Sequence, residues 1–492
     1  MKIKALRIES VFVVIALCYL LFPTNNSSLD GYSYAANIKY GEHLFRPHHL
    51  LYNVFMYVVL KPFYFFNATP NVLLIAKYVN SILVLGTLLV LNSVFKRLCF
   101  AKKERSILIL VVAFSYNFLR FGTENEAYIV PLFFSMLASL YFLIFSEKLT
   151  YKDVFISGFF ATVACLFHQI HFFWWLGLLL GVAVGFKKIK YLLLFGSSAI
   201  LIPIVYAMVV FYTEEALTVA SFLRFVFQDY YLGSAKSEMG IMNFVMLVIS
   251  SIRAFIQVHP TVLFLIKKSY WYCIPLLLGV LLLVSVVRRM IQKKTFVKRE
   301  RVHKVFFYTT LSVLVFHFLF AFYAVGNVEF LVMLPILTVM TLFYYYKFPY
   351  QIGWSVAIFL GVWNFFYGLY PNHNYNYDNN LALINFIKKH PEAIFIVKNL
   401  DVREHYYYET GINNYEHILR SKDVKSPKEW DELILENQFV YTDVLDKPQI
   451  LSRATLMKKN DFKIDVSKYQ TEIVLKYNSL YGVSSICKIS KK

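Results

Sequence analysis

The sequence predicts an α-helical protein that crosses a membrane about eleven times and ends in a small α/β domain. Of its 492 residues, 58% are hydrophobic and only 16% are charged, which is more apolar than a water-soluble protein surface allows. The apolar residues form long unbroken blocks, such as 82–91 and 273–287, in which helices satisfy their backbone polar groups inside lipid. A transmembrane β-barrel would instead need short segments of alternating polarity.

The positions of the basic residues predict how these helices are oriented. Lys and Arg gather in short loops, for example 96–105, 187–190 and 288–304, and such loops stay on the cytoplasmic side. The predicted spans lie near 10–23, 71–95, 106–120, 127–146, 154–168, 172–186, 190–212, 270–287, 305–325, 330–346 and 350–369. This order places the N-terminus in the cytoplasm and the C-terminus outside. Two further apolar stretches, 50–66 and 241–266, would reverse the order if they crossed, so we expect them at the outer surface or re-entering from it.

The formal net charge of +20 does not indicate a nucleic-acid partner, because the basic residues are distributed over short loops. Membrane lipids are the expected surroundings, and we expect a bacterial inner or plasma membrane. The five cysteines are scattered, so they encode neither a disulfide framework nor a CxxC metal site. The outer loops hold most of the Asp, Glu and His residues outside the tail, and the function is therefore sought there.

The first outer loop, 24–49, carries a single acid close to the first span. Asp30 lies where a carboxylate can meet both a lipid-borne phosphate ester and a polar acceptor. Tyr32 supplies a ring of the kind that stacks on sugars or settles at the interface. Asp30 could instead merely cap a helix that begins at Tyr32. Its place beside the membrane and the neighbouring histidines favour a catalytic role.

Two pairs of histidines lie in predicted outer loops. His48 and His49 follow Arg46 and could contact a phosphate or another ligand, or could cap or anchor a surface helix over 50–66. His168 and His171 could share a helix face and bind a metal ion together with an acid from another loop. Trp and His also gather at membrane interfaces without any chemistry, and we favour that interpretation for the second pair.

The loop at 120–128 adds two carboxylates, Glu124 and Glu126, and a guanidinium, Arg120, at the start of an apolar helix. The spacing of Thr123 and Glu126 also fits a helix capping box, which would not exclude contact with an acceptor. Glu329 begins a later span, where a carboxylate so near lipid is costly unless it is used or paired.

Together these features resemble the GT-C superfamily of polytopic glycosyltransferases, which includes the protein O-mannosyltransferases and the bacterial aminoarabinose transferase of lipid A. The shared features are an N-terminal span, an early lumenal acid, surface helices in the same loop and a body of similar helix number. The stretch from Phe45 to Tyr52 is similar to the His-Pro-rich segment that follows the catalytic acid in several such enzymes. The family often carries a pair of acids in the first loop, whereas this chain has Asp30 alone. A divalent metal is therefore possible but not required, and the cofactor and any metal ligands stay undefined.

The resemblance implies that an acceptor hydroxyl attacks the anomeric carbon of a sugar linked through phosphate to a polyprenyl lipid, with inversion. Asp30 would be the general base. Binding of the donor or the acceptor would fall to Arg46, His48, His49, Arg120, Tyr32, Glu124, Glu126 and Glu329. The sequence contains neither a Gly-rich phosphate loop nor a DxD pair, which favours a lipid-linked donor over a nucleotide sugar. The acceptor, whether glycan, lipid or protein, stays open.

Two other functions share the many spans. A polymerase or ligase of O-antigen-type, lipid-linked polysaccharide usually concentrates its function in long Arg-rich outer loops, whereas these loops are acidic and contain histidines. A flippase or transporter of lipid-linked saccharides predicts inverted repeats and charged residues at mid-membrane, and neither is evident. The sequence favours the transferase.

The tail differs in composition from the rest, and we divide the chain into a membrane domain at 1–370 and an extracytoplasmic α/β domain at 371–492. Strands are predicted at 393–397, 439–442 and 472–477, and helices at 380–390 and 427–437. The polar and aromatic segment 401–408 is expected to be an ordinary exposed face.

Overall fold

A computed structural model describes residues 7–213, 216–232, 239–258, 261–292, 297–398, 401–421, 423–424, 426–445 and 468–492. The chain divides into two compact units. The first comprises Met1–Thr24, Glu42–Val258 and Trp271–Tyr370, and the second comprises Asn25–Gly41, His259–Tyr270 and Pro371–Lys492.

The first unit is a bundle of apolar helices, and each predicted span coincides with a helix or a pair of helices. These are Ile8–Leu21, Val72–Arg97, Lys102–Ala113 with Tyr116–Gly122, Ile129–Lys148, Tyr151–Phe167, Phe172–Phe186, Ile189–Ser197 with Leu201–Tyr212, Cys273–Gln292, Lys304–Tyr323, Leu334–Tyr345 and Tyr350–Asn364. Within the described residues, eight helices are long and apolar enough to cross a membrane, or nine if the pair bent by 63° at residues 114–115 forms one span. The helices Ile8–Leu21 and Tyr151–Phe167 are shorter, at 14 and 17 residues. The predicted polytopic helical fold is confirmed.

The two stretches that we expect at the outer surface form short helices. Tyr52–Leu60 has 9 residues, and at about 1.5 Å per residue it covers less than half of a hydrocarbon core of roughly 30 Å. The second stretch contains Ile241–Phe255 and Thr261–Lys268. His259 and Pro260 lie outside the described residues. Between the bundle helices, Val219–Val226 and Gln228–Tyr231 form a further short helical segment.

Small residues let the bundle helices approach each other closely. A Cβ added to Gly177 would lie 2.4 Å from Val313 Cγ2, and one added to Gly181 would lie 2.1 Å from Thr309 Oγ1. The helix Phe172–Phe186 therefore packs tightly on Lys304–Tyr323. A Cβ on Gly158 would lie only 2.2 Å from the backbone oxygen of Phe195. Glycine at such positions is typical of membrane helices, which associate by close packing rather than by hydrophobic burial.

The second unit contains a five-stranded mixed sheet. Its order is Ile418–Arg420, Ile394–Val397, Val440–Thr442, Gly482–Lys491 and Tyr469–Ser479. The first three strands are parallel and the last two pair antiparallel, with Phe395 opposite both Ile418 and Tyr441. Its described helices include Leu29–Tyr40, Asn380–Lys389, Asp401–Thr410 and Pro427–Glu436. The predicted strands and helices of the tail are confirmed.

Apolar residues cover both faces of this sheet. Phe395 and Val397 pack against Ile384 of one helix, whereas the intervening Ile396 packs with Trp430 on the opposite face. A strand buried on both sides reads as a continuous apolar run, which is why Ile394–Val397 lacks the alternation of a half-exposed strand.

The segment 401–408 is not an ordinary exposed face, and that expectation is wrong. It forms most of the helix Asp401–Thr410, in which Val402, His405 and Tyr407 are buried. His405 stacks on Tyr32, with ring centroids 3.9 Å apart, so the helix packs against Leu29–Tyr40. The helix that carries Asp30 therefore belongs to the second unit. The predicted division at residue 370 remains a prediction.

We expect Gly158→Ala to lower the free energy of unfolding by about 1–3 kcal/mol, because the added methyl group meets a backbone oxygen that cannot move aside. Gly196→Ala is the matched control, since nothing lies within 4 Å of its added Cβ. Thermal unfolding of both variants in detergent checks this. Equal melting temperatures would contradict the close approach of these helices.

Candidate functional site

The loop that carries Glu124 and Glu126 is not a helix cap, and the capping-box interpretation is wrong. Thr123 follows the helix Tyr116–Gly122, and its hydroxyl donates back to the Leu119 carbonyl oxygen at 2.8 Å. The next helix begins only at Ile129, after Tyr128, which makes no side-chain capping bond. Both carboxylates therefore lie in irregular backbone between two helices, where a capping role does not explain them.

Two polar side chains hold this loop in place. The Asn80 amide nitrogen donates to the Glu124 carbonyl oxygen at 2.7 Å and to the Glu126 carbonyl oxygen at 2.9 Å. The Tyr52 hydroxyl donates to the Asn125 side-chain oxygen at 2.8 Å. The Glu124 and Glu126 side chains are 4% and 2% exposed. Buried carboxylates in a loop that hydrogen bonds hold in place are the arrangement expected of a preorganised site.

Cations and a third carboxylate surround these two acids. Arg120 interacts electrostatically with Glu329, Glu124 and Glu126. Lys77 is buried, acts on Glu124 and donates to the Thr24 carbonyl oxygen at 2.7 Å. Charges held wholly or partly away from water are costly unless they compensate one another or bind a ligand. We call Lys77, Arg120, Glu124, Glu126 and Glu329 the charged cluster.

Glu329, the third carboxylate of the charged cluster, has two neutral hydrogen-bond donors beside it. The Tyr128 hydroxyl and the Asn327 amide nitrogen each lie 3.2 Å from Glu329 Oε2. The structure thus brings Glu329, which is distant in the sequence, together with Arg120 and Glu124.

Sequence reasoning missed the polar residues that support the cluster. Lys77 and Asn80 are three residues apart in the first half of a largely apolar helix, and polar side chains one turn apart in a span indicate a functional face. That signal was available in the sequence. Tyr52 and Tyr128 offered none, because tyrosine is abundant throughout this chain.

The first histidine pair lies on the turn Pro47–His49, which precedes the helix at Tyr52. His48 Nδ1 is 3.3 Å from a carboxylate oxygen of Asp229. Burial lowers the pKa of His48, Asp229 opposes that change, and Arg46 adds to it. Burial likewise holds the pKa of His49 well below its usual range, assisted by His168, His48 and Arg46. Both imidazoles are therefore neutral at neutral pH.

The second histidine pair lies inside the protein, so the expected place at a lipid interface is wrong. His168 is 4% exposed and His171 is fully buried. The His168 ring lies 4.1 Å from that of His49 and 5.0 Å from that of Tyr128, measured between centroids. His171 Nδ1 and the Ser135 hydroxyl form a hydrogen bond of 2.7 Å. In the part of the chain that the structure describes, no three His, Cys, Asp or Glu side chains are grouped so that they could hold a metal ion.

Asp30 lies in the second unit, on the first turn of the helix Leu29–Tyr40. The cap of that helix is Ser28, whose hydroxyl accepts from the Gly31 backbone nitrogen at 2.9 Å. Asp30 is thus not the capping residue, and the helix begins three residues before Tyr32. Its carboxylate is half-buried and is favoured by the helix N-terminus. Tyr32 is occupied by its stacking contact with His405.

No protein-family model matches this sequence, and no curated protein is similar to it. Among solved structures, the chain is similar to the oligosaccharyltransferase of Archaeoglobus fulgidus in complex with Zn and sulfate. The identity is 11%, the match covers 98% of this chain and 73% of that chain, and the TM-score is 0.45. It is also similar to AglB from the same organism in complex with an inhibitory peptide and a dolichol-phosphate. That match has 12% identity, covers 89% of this chain and 69% of that chain, and has a TM-score of 0.46. Similarity at this level describes the course of the chain only.

We expect Asn80→Ala to destabilise the membrane unit by about 2–4 kcal/mol, because two buried loop carbonyls lose their donor. Ser93→Ala on the same helix is the control, since the exposed Ser93 hydroxyl bonds only within its own helix. Thermal unfolding in detergent measures the difference. Similar melting temperatures for the two variants would show that Asn80 does not hold the loop.

Proposed function

We propose that this protein transfers a sugar from a polyprenyl-phosphate donor to an acceptor hydroxyl on the outer face of the membrane, with inversion. The observation that carries this proposal is the charged cluster, in which three carboxylates and two cations lie together in a polytopic helical unit. Glu124, Glu126 and Lys77 are buried, and Arg120 and Glu329 are partly buried. Such burial is rarely retained for stability alone. The cluster also contains the residue types that bind a phosphate-linked sugar, because cations bind the phosphate and carboxylates accept hydrogen bonds from hydroxyl groups.

The reaction balances with a single base. The acceptor oxygen forms a bond to the anomeric carbon while the bond from that carbon to the phosphate oxygen breaks. The electron pair of the broken bond stays on the phosphate, and the hydroxyl proton passes to a carboxylate. We assign that role to Asp30, because it is the acid of the first loop that lies close to the first span and is only half-buried, so that an acceptor can reach it.

The remaining predicted residues take four different roles in this proposal. Arg120 and Arg46 would offset the negative charge that develops on the leaving phosphate. Glu124, Glu126 and Glu329 would accept hydrogen bonds from hydroxyl groups of the sugar or the acceptor. His48 and His49, being neutral, would act as hydrogen-bonding groups rather than as cations. Tyr32 is already packed against His405 and would support the Asp30 helix.

Asp30→Asn should lower sugar transfer by at least about a hundredfold, because the acceptor proton then lacks a base. Transfer is measured in vesicles that contain the variant and a panel of polyprenyl-phosphate sugars. Glu42→Gln, an exposed acid in the same loop, should leave the rate unchanged. Full activity of Asp30→Asn with intact folding would rule out this assignment.

We also propose that the N-terminus is cytoplasmic and the C-terminus extracytoplasmic. A C-terminal tag should then be removed when protease is added to intact spheroplasts, and a tag at the N-terminus should survive. Protection of the C-terminal tag would contradict the odd number of spans.

A further inference from the structure

Five histidines form a row in the first unit. Successive ring centroids are 4.3 Å apart from His48 to His49, 4.1 Å to His168, 6.3 Å to His171 and 6.4 Å to His317. The His48 side chain is 36% exposed and the other four are buried. The row therefore starts at the surface and continues into the interior. The charged cluster does not include it, and the chemistry proposed above does not use its inner members.

His168 is the member of the row whose hydrogen bonding defines its protonation. It is the capping residue of the turn Gln169–His171, and its Nδ1 accepts from the Ile170 backbone nitrogen at 3.2 Å. Because Nδ1 accepts, we assign the ring proton to Nε2. The ring is thus a neutral donor in one fixed tautomer.

The donor atom of this ring has no acceptor in the part of the chain that the structure describes. His168 Nε2 is inaccessible to solvent and makes no hydrogen bond to a described residue. The groups around the ring are His48, His49, Tyr128, His171 and His317. Leaving a buried N–H unsatisfied is costly, so the position calls for an oxygen from water or from a ligand.

We propose that His168 donates its Nε2 hydrogen to a phosphate oxygen of the lipid-linked donor. This assignment rests on the proposed function and adds a binding residue to it. We choose an anion rather than a neutral hydroxyl group because Arg46 places a positive charge near His48 and His49, the members of the row toward the surface. Asp229 is half-exposed at the outer end of the row, where one of its carboxylate oxygens lies 3.3 Å from His48 Nδ1.

A neutral donor suits this role for a physical reason. A hydrogen bond to a charged oxygen is strong in a buried site, and a donor held by its own backbone bond needs no reorganisation as charge develops on the leaving group.

Binding of farnesyl phosphate and of farnesol to the full-length protein in detergent, measured by intrinsic fluorescence, tests the proposal. Wild-type protein should bind farnesyl phosphate more tightly than farnesol. His168→Asn keeps an oxygen to cap the turn but removes the Nε2 donor. It should weaken binding of farnesyl phosphate by about tenfold to a hundredfold and leave binding of farnesol unchanged.

Two further variants separate binding from packing. His168→Gln places an amide nitrogen near the position of Nε2 and should bind farnesyl phosphate better than His168→Asn does. His303→Asn is the matched control, because His303 also caps a helix through Nδ1 while its Nε2 already contacts the Ser146 hydroxyl at 3.1 Å. This control should bind as the wild type does.

Three results would overturn the proposal: wild-type affinity in His168→Asn, an equal loss for farnesol, or weaker binding by His168→Gln than by His168→Asn. The last would show a capping role only. Sugar transfer is measured separately with the donor panel. Transfer by wild-type protein together with unchanged binding in His168→Asn would refute only the role of His168. A His168-dependent phosphate affinity without transfer from any donor would refute only the transferase.

Discussion

The hydrogen bonds from Asn80 to the carbonyl oxygens of Glu124 and Glu126 are the interaction on which the candidate site depends. Buried backbone outside helices must find partners for its polar groups, and helices of a membrane bundle rarely offer them. One amide on a neighbouring helix supplies two of these bonds. The loop can therefore remain irregular and buried, and its two carboxylates stay close to Arg120 and Lys77. Without that support, the charged side chains would have no fixed positions.

The fold follows from features that the sequence carries locally. A long apolar run is sufficient to predict a span, and the alternation of periodic segments after residue 371 is sufficient to predict most of the tail. The strand Gly482–Lys491 and the helix Asp401–Thr410 were not predicted. The strand mixes Ser and Lys with Ile, and the helix contains four aromatic or imidazole rings among its charges, so neither shows a clear period.

The candidate site was predictable in part, because its acids and Arg120 are rare residue types beside apolar helices. The capping motif at Thr123 led to a wrong prediction. The same residue spacing can occur at the end of one helix or at the start of the next, and only the backbone conformation distinguishes the two. The burial of His168 and His171 could not be predicted from the sequence either. Whether a polar residue at the end of a span faces lipid, water or a neighbouring helix depends on packing between segments that are distant in the sequence, here with His49 and His317.

The close fit of Gly177 and Gly181 against Val313 and Thr309 has a consequence for biogenesis. The two helices are far apart in the sequence, and at roughly 5–20 residues per second the ribosome makes the second one on the order of ten seconds after the first. During that interval Gly177 and Gly181 lie in the bilayer without the helix Lys304–Tyr323 against which they pack. The nascent bundle must remain open on that side, accessible to lipids or to membrane chaperones, until the later helix is inserted and closes it.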